Sequence, residues 1–168
     1  MDRRAFISTL AAGVITTGSG CVSNGRVVTD EQETRMVPAG QGEVIEISEV
    51  DGKGAITYSV QAGKRFDVYY FTSPDQYEDY SRYMSGQQVS QPSAGHPELT
   101  QAAVHDDQQE EYVIEVPKEG GRKSITVDSA HYLVIDHSNY GRGVPVEKHA
   151  DPLQVSYSLT VIDKQLPI

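Results

Sequence analysis

The sequence is poor in cysteine, tryptophan and basic residues. Its 168 residues include one Cys, no Trp, and 14 Lys and Arg against 24 Asp and Glu, which gives a formal net charge of −10. One Cys excludes a disulfide within the chain and a cage of several thiolates around a metal. The negative charge opposes a phosphate backbone and no basic block offsets it, so we expect no nucleic-acid partner.

The sequence also lacks a hydrophobic run long enough to span a membrane. The apolar stretch from Ala5 to Ile15 is shorter than the roughly 20 residues that a transmembrane helix needs. Residues 1–20 are therefore expected to be a targeting segment. Within it, Arg3-Arg4-Ala5-Phe6-Ile7 resembles the twin-arginine signature of two arginines, any residue, Phe and an aliphatic residue. This resemblance assigns the export signal to Arg3, Arg4 and Phe6.

The single cysteine follows that segment directly. Gly18-Ser19-Gly20-Cys21 resembles a lipoprotein box, in which a peptidase cuts before a Cys that then carries lipid on its sulfur. Small residues before the cut fit that peptidase, although Gly18 stands where an aliphatic residue is usual. A small buried thiol is the alternative. We expect lipid attachment at Cys21, with the protein held by this anchor at the extracellular face of the cell membrane.

Residues 21–42 are expected to form a flexible tether. They are mixed in charge, show no periodicity and end in Pro38, Gly40 and Gly42. Met36 and Val37 would suit a short edge strand that Pro38 ends. We therefore place one folded domain at residues 43–168.

Beyond the tether the dominant hydrophobic period is two. Apolar residues alternate with polar ones from Leu153 to Val161, a pattern that predicts a strand with one buried face. Alternating or short continuous apolar runs predict further strands at residues 43–50, 56–61, 66–71, 112–116, 124–127 and 132–135. Turn residues separate these runs and no βαβ rhythm is present. The sequence therefore predicts an all-β fold, a single antiparallel β-sandwich of about seven or eight strands.

One short helix is expected to interrupt the strands. Ser73 suits the N-cap and Pro74 the first helical position, while Tyr77, Tyr80 and Met84 follow at helical spacing. The runs at 66–71 and 132–135 are apolar on both faces, as in central strands whose outer face is also covered. We expect the helix to pack on the sheet.

Four segments carry a resemblance to a known kind of domain. They are Phe66-Asp67-Val68-Tyr69-Tyr70-Phe71-Thr72, the Tyr-bearing stretch 77–83, His131-Tyr132-Leu133-Val134-Ile135-Asp136-His137-Ser138, and the final alternating strand. Together they resemble secreted prokaryotic β-sandwich domains similar to the Golgi-dynamics (GOLD) type. With its twin-arginine and lipoprotein start, the whole chain resembles a surface lipoprotein of halophilic archaea. The resemblance implies a fold and brings no catalytic residues.

The histidines raise the question of a metal site. His131 and His137 would lie about 20 Å apart on a continuous strand, too far to share an ion. The loop after the His131–Asp136 strand offers an alternative, a metal-binding or hydrolytic site built from Asp136, His137 and His149. The simpler interpretation is that these are solvated loop residues. We find no nucleophile elbow, zinc-protease helix or phosphate-binding loop, and we expect neither an enzyme nor a cofactor.

A binding, adhesion or accessory role is therefore the expectation, with a protein or a surface polymer as partner. Residues 87–98 and 139–152 form long loops that would make a binding rim at the ends of the sandwich. Four tyrosines, Tyr69, Tyr77, Tyr83 and Tyr140, are expected at exposed contact positions. Tyr58, Tyr112 and Tyr157 fall on inward positions and are expected in the core.

Overall fold

The computed structural model describes residues 25–48, 50, 52–141 and 151–164. In chain order the elements are β1 (Arg26–Val37), β2 (Gly42–Ile47), β3 (Gly52–Ala62), β4 (Asp67–Phe71), α1 (Pro74–Met84), β5 (Gln101–Ala102), β6 (Val104–Asp106), β7 (Glu111–Val116), β8 (Lys123–Val127), β9 (His131–Asp136) and β10 (Leu153–Asp163).

These strands form two antiparallel sheets. The large sheet has the order β1-β10-β3-β7-β6, and β3 pairs with β8 over its first half and with β7 over its second. The small sheet has the order β2-β9-β4-β5. The predicted all-β sandwich with one short helix is confirmed. All seven predicted strands are present, and β1, β5 and β6 add to them within the described residues.

The core lies between the two sheets and follows from the alternation of side chains along the strands. The inward residues of β10 are all buried: Leu153, Val155, Tyr157, Leu159 and Val161. From β3, Tyr58 joins this core, and its hydroxyl donates to the carbonyl oxygen of Leu99. Tyr112 on β7 is half-buried and packs against the same core. The prediction that these tyrosines serve packing is confirmed.

The predicted tether at residues 21–42 is wrong for its central part. Residues 26–37 form β1, which pairs with β10 along its whole length from Arg26↔Asp163 to Val37↔Leu153. Cross-strand polar contacts support the pairing, such as Thr34 Oγ1 to Ser156 Oγ at 3.0 Å. An edge strand has one partner strand and bears exposed polar and charged side chains that discourage further pairing, so it needs no apolar alternation. The strand ends where Pro38 begins, as expected.

Helix α1 covers the outer face of the small sheet. Its first turn is closed at the N-cap, where the Gln76 N–H donates to Ser73 Oγ at 3.3 Å and the Thr72 N–H donates to Gln76 Oε1 at 3.0 Å. An aromatic layer lies between helix and sheet. The helix contributes Tyr77, Tyr80 and Tyr83 to it, and the remaining members are Tyr69, Phe71, Tyr132 and Tyr140. All five residues of β4 are buried, so the prediction that this central strand is covered on both faces is confirmed.

The aromatic layer corrects the expected exposure of two tyrosines. Tyr69 and Tyr140 are buried, with rings packed edge to face at 5.1 Å between centroids, and the Tyr69 hydroxyl donates to the Tyr140 carbonyl oxygen at 2.7 Å. Tyr77 and Tyr83 are half-buried at its margin. A tyrosine can be buried when its hydroxyl has a hydrogen-bond partner. For Tyr69 that partner is the carbonyl oxygen of Tyr140, which is distant in the sequence.

Candidate ligand-binding cleft

A polar cleft of about 650 Å³ opens between the two sheets at one end of the sandwich. One wall is β8 with the turn that leads into β9, and the other is the end of β4 with the turn into α1 and the loop before β5. The lining residues are Tyr70, Thr72, Ser73, His96, Ser124, Ile125, Thr126, Asp128, Ser129 and His131. Its volume falls within the range of small-molecule sites, about 300–1,000 Å³. Three other depressions lined by described residues are smaller, at about 260, 270 and 400 Å³.

His131 is the buried polar group of this cleft. As the first residue of β9 it shares the inward face with Leu133 and Ile135, and it is 1% exposed. Its Nδ1 lies 2.9 Å from the hydroxyl of Tyr70, and the two rings meet edge to face at 5.4 Å. Within the described residues its Nε2 has no hydrogen-bond partner. Buried polar groups are rarely left in this state. Because the Nε2 atom is itself buried, it lies beneath the accessible surface of the cleft.

Burial favours the neutral form of the His131 imidazole. Desolvation lowers the pKa of His131, the carboxylate of Asp128 opposes this effect, and His96 adds to the lowering. Among the charged groups near His131, Asp128 is exposed and lies at the rim of the cleft.

The loop at residues 87–100 brings His96 to the cleft. The His96 N–H donates to the Tyr70 carbonyl oxygen at 2.7 Å, and the Thr100 N–H donates to the His96 carbonyl oxygen at 2.8 Å. Gly95 makes this approach possible: its φ is +70°, and a Cβ there would lie 2.9 Å from the Tyr70 carbonyl oxygen. An ion pair between Lys123 Nζ and Glu98 Oε2 at 2.7 Å ties the loop to β8 across the sandwich edge.

The hydroxyl groups of the cleft are partly committed to local structure. Ser73 caps the helix, and Ser129 Oγ donates to the Thr72 carbonyl oxygen at 3.3 Å. A hydroxyl donates one hydrogen and accepts through two lone pairs, so each retains further bonding capacity. The lining of the cleft therefore offers a ligand several neutral hydroxyl groups and few charged groups.

A second buried polar centre lies on the opposite face of the small sheet. Asp136 Oδ1 accepts from the Tyr80 hydroxyl and from Ser138 Oγ, both at 2.7 Å, and its directly opposed neighbour on β4 is Asp67. Burial raises the pKa of Asp136 to about 6, against the hydrogen bonds from Ser138 and Tyr80. On the neighbouring strand β2, Gly42 is paired with Asp136. A Cβ at Gly42 would overlap the Tyr80 hydroxyl. Because Asp136 is 1% exposed, this centre fastens α1 to the sheet and does not open to a ligand.

The residues of the alternative metal site are held in other contacts. Asp136 binds Tyr80 and Ser138, while His137 Nε2 lies 3.1 Å from the Asp151 carbonyl oxygen, which only accepts, so His137 donates there. His149 lies outside the described residues. Among those described, no three His, Cys, Asp or Glu side chains form a group that could hold a metal ion.

The predicted signal and anchor residues, Arg3, Arg4, Phe6 and Cys21, also lie outside the described residues. No helix in the part of the chain that the structure describes is long and apolar enough to cross a membrane.

Sequence reasoning found part of the cleft. His96 belongs to the loop expected to form a binding rim, and His131 was considered only as a metal ligand. Asp128, Ser124, Thr126 and Ser129 were missed, because polar residues in and beside a short strand give no distinctive sequence signal. Their association with Tyr70 depends on how the two sheets pack.

The fold and the cleft define an all-β sandwich domain with a polar concavity between its sheets. No protein-family model matches the sequence, and comparison with curated proteins gives no match.

Proposed function

We propose that this protein is an exported, lipid-anchored cell-surface protein that acts as a non-catalytic binding module. Its anchor is lipid on Cys21, its export signal includes Arg3 and Arg4, and it resembles surface lipoproteins of halophilic archaea with a GOLD-like sandwich. The ligand site is the cleft at the base of which His131 lies. The polar cleft of about 650 Å³ between the two sheets carries this proposal.

The hydrogen bonds of the cleft support binding over catalysis. A hydrolase of the Ser–His type needs an imidazole that accepts from the nucleophilic hydroxyl. In the described part of the chain, His131 Nδ1 bonds to the Tyr70 hydroxyl and His96 Nδ1 accepts from the Glu98 N–H at 3.3 Å. Neither imidazole is hydrogen-bonded to a Ser or Thr hydroxyl there, so the cleft offers recognition groups and no activated nucleophile.

The anchor is tested by fractionation of cells that express the full chain. Cys21→Ser should release the protein from membranes into the medium or the soluble fraction, because serine has no sulfur to carry lipid. The variant then lacks the acyl chains that stable anchoring needs. Retention of Cys21→Ser in the membrane would contradict the anchor. Replacing both Arg3 and Arg4 with Lys should leave unprocessed protein inside the cell, and unaltered export would point to another route.

The binding role is tested by copurification from membranes with the full-length lipoprotein. We expect Asp128→Asn, which removes the charge at the cleft rim, to lose a surface protein or polymer that the wild type retains. Glu119→Gln is the matched control, since Glu119 is exposed in the turn between β7 and β8 and does not line the cleft. Equal recovery with all three proteins would show that the cleft is not the binding site.

A further inference from the structure

Asp136 lies beneath α1 and outside the core between the two sheets. Leu133 and Ile135 on β9 point into that core, so Asp136 lies on the opposite, outer face of the small sheet. The Tyr80 hydroxyl donates to Asp136 Oδ1 at 2.7 Å. Among the described residues this is the one side-chain hydrogen bond that joins a residue of α1 to a strand. The core can therefore stay intact when α1 moves away from Asp136.

Loss of the proton from Asp136 leaves a carboxylate in an unfavourable environment. Burial raises the pKa of Asp136 to about 6, and Asp67, its directly opposed neighbour on β4, adds to this rise. Asp136 Oδ2 has no hydrogen-bond partner among the described residues. A buried carboxylate with an unpaired oxygen is costly, and contact with water lowers that cost.

The groups around Asp136 supply no positive charge in the described part of the chain. Those that titrate and act on Asp136, or on which it acts, are Asp67 on β4, Tyr80 and Tyr83 on α1, and Tyr140 after β9. Burial raises the pKa of each of the three tyrosines, so their hydroxyls stay neutral at pH 8 and below. Strand β2 pairs with Asp136 through Gly42, which has no side chain. Water is therefore the group that can stabilise the ionised form.

The space over Gly42 gives water a route to Asp136. A Cβ at Gly42 would overlap the Tyr80 hydroxyl, so this hydroxyl occupies the volume that a side chain on β2 would otherwise fill. When Tyr80 withdraws with α1, that volume opens directly beside Asp136. No pair of strands has to separate for water to enter.

We propose that Asp136 is a pH-sensitive latch for α1. With its proton bound, Asp136 is stable when buried, and the helix stays packed on the small sheet. Without the proton, the helix opens from the sheet more often, and water then reaches the carboxylate. The two sheets and the core between them remain folded in the open state. The latch operates whether or not the cleft binds a ligand.

Hydrogen–deuterium exchange of the full-length protein measures this opening. Mass spectrometry follows peptides from α1 and β10, and their protection is corrected for the intrinsic exchange rate at each pH. We expect α1 to be less protected than β10, and its protection to fall about tenfold from pH 5 to pH 8 and to level off above about pH 7. The factor follows from a carboxyl whose pKa is about 6 beneath the helix and 3.8 in water.

Two results of this experiment would overturn the latch. Equal protection of α1 and β10 would mean that the helix opens only when the whole domain unfolds. Protection of α1 that does not change between pH 5 and pH 8 would mean that the protonation of Asp136 does not control the helix.

Asp136→Asn links the opening to this one carboxyl. The variant should show the same α1 protection at pH 5 and pH 8, since Asn does not ionise. Glu119→Gln is the matched control, because Glu119 is exposed in the turn between β7 and β8, and it should repeat the tenfold fall of the wild type. A tenfold fall in Asp136→Asn would overturn the inference.

A titration of the wild type decides the question even if Asp136→Asn does not fold. Carbon-13 NMR of the aspartate carboxyl groups gives the pKa of Asp136 directly. It should lie near 6, where the protection of α1 stops falling. An Asp136 carboxyl that titrates at its ordinary 3.8 in the folded protein would overturn the latch.

Discussion

Replacing Asp136 with Asn should flatten the dependence of the protein's stability on pH. In the folded chain burial raises the pKa of Asp136 from its ordinary 3.8 to about 6, and the neighbouring Asp67 adds to this rise. Unfolding returns the carboxyl to water and to its ordinary pKa. Because the folded chain holds the proton more tightly, Asp136 contributes stability that is fully present below about pH 4 and is lost as the pH rises through about 6.

The size of the effect follows from the change in pKa. A rise from 3.8 to about 6 corresponds to about 3 kcal/mol, since one pKa unit is worth about 1.4 kcal/mol. Asn keeps an oxygen that accepts from Tyr80 and Ser138. Its amide N–H group replaces Oδ2, which has no hydrogen-bond partner among the described residues, so Asn carries a cost that does not vary with pH. The quantity to compare is therefore the slope of stability against pH.

Urea unfolding followed by circular dichroism measures that slope. Between about pH 4 and pH 8 the wild type should lose about 2.4 kcal/mol of unfolding free energy relative to Asp136→Asn, because the unfolded carboxyl is only partly protonated at pH 4. Glu119→Gln changes an exposed carboxylate that lies in a turn, and it should follow the wild-type profile. Parallel profiles for wild type and Asp136→Asn would refute the reasoning, because they would mean that Asp136 binds its proton equally well in both states.

Three further predictions concern the helix, the sheet and the anchor. Gly42→Ala should destabilise the fold by about 2 kcal/mol in urea unfolding, because its Cβ would overlap the Tyr80 hydroxyl, and unchanged stability would contradict this packing. Ser73→Ala should cost about 1 kcal/mol through loss of the helix N-cap, with Ser73→Asn as the variant that restores it. In membranes that contain an acceptor dye, a donor dye on Ser129→Cys should transfer energy more efficiently than one on Lys64→Cys, because the cleft lies at the end of the large sheet where β1 begins.

The strands and helix that the sequence predicts are those whose signal is local. In β10 the alternation from Leu153 to Val161 predicts a half-buried strand. At the start of α1, Ser73 and Pro74 are residue types that helix N-termini favour, because Ser can accept from a free backbone N–H. Strand β1 has no such signal. It forms because β10 offers a row of backbone partners, which is a property of the other strand.

The candidate site was less accessible to sequence reasoning, because it joins segments that are distant in the chain. The turn after β4, the loop with His96 and the β8–β9 connection meet only once the two sheets have packed. His131 illustrates the difficulty: its place on an inward-facing strand position is predictable, whereas the Tyr70 hydroxyl to which it is hydrogen-bonded lies on another strand. Tyr140 shows the same limit, since the groups that allow its burial come from α1 and β4.

Strand β1 also changes the expected distance between the proposed anchor and the cleft. Arg26 pairs with Asp163, Asp163 with Gly54, and Gly54 with Ile125, so these residues lie in one row across the large sheet. Strands are about 4.8 Å apart, which places cleft residue Ile125 about 14 Å from Arg26. From Cys21 to Arg26 the backbone spans at most about 18 Å, whereas a tether to residue 42 would have reached about 70 Å.

A lipid on Cys21 would therefore hold the cleft within roughly 30 Å of the membrane surface. Lys64 follows the far end of β3, about 30 Å along the sheet from Gly54, so its dye should lie farther from the acceptor than one on Ser129. An anchored cleft would then bind ligands that lie close to the membrane. A polymer in the surrounding solution would have to approach the membrane before it could enter the cleft. Equal energy transfer from the two dyes would mean that the domain does not keep this orientation, and the cleft would then be free to meet ligands farther from the membrane.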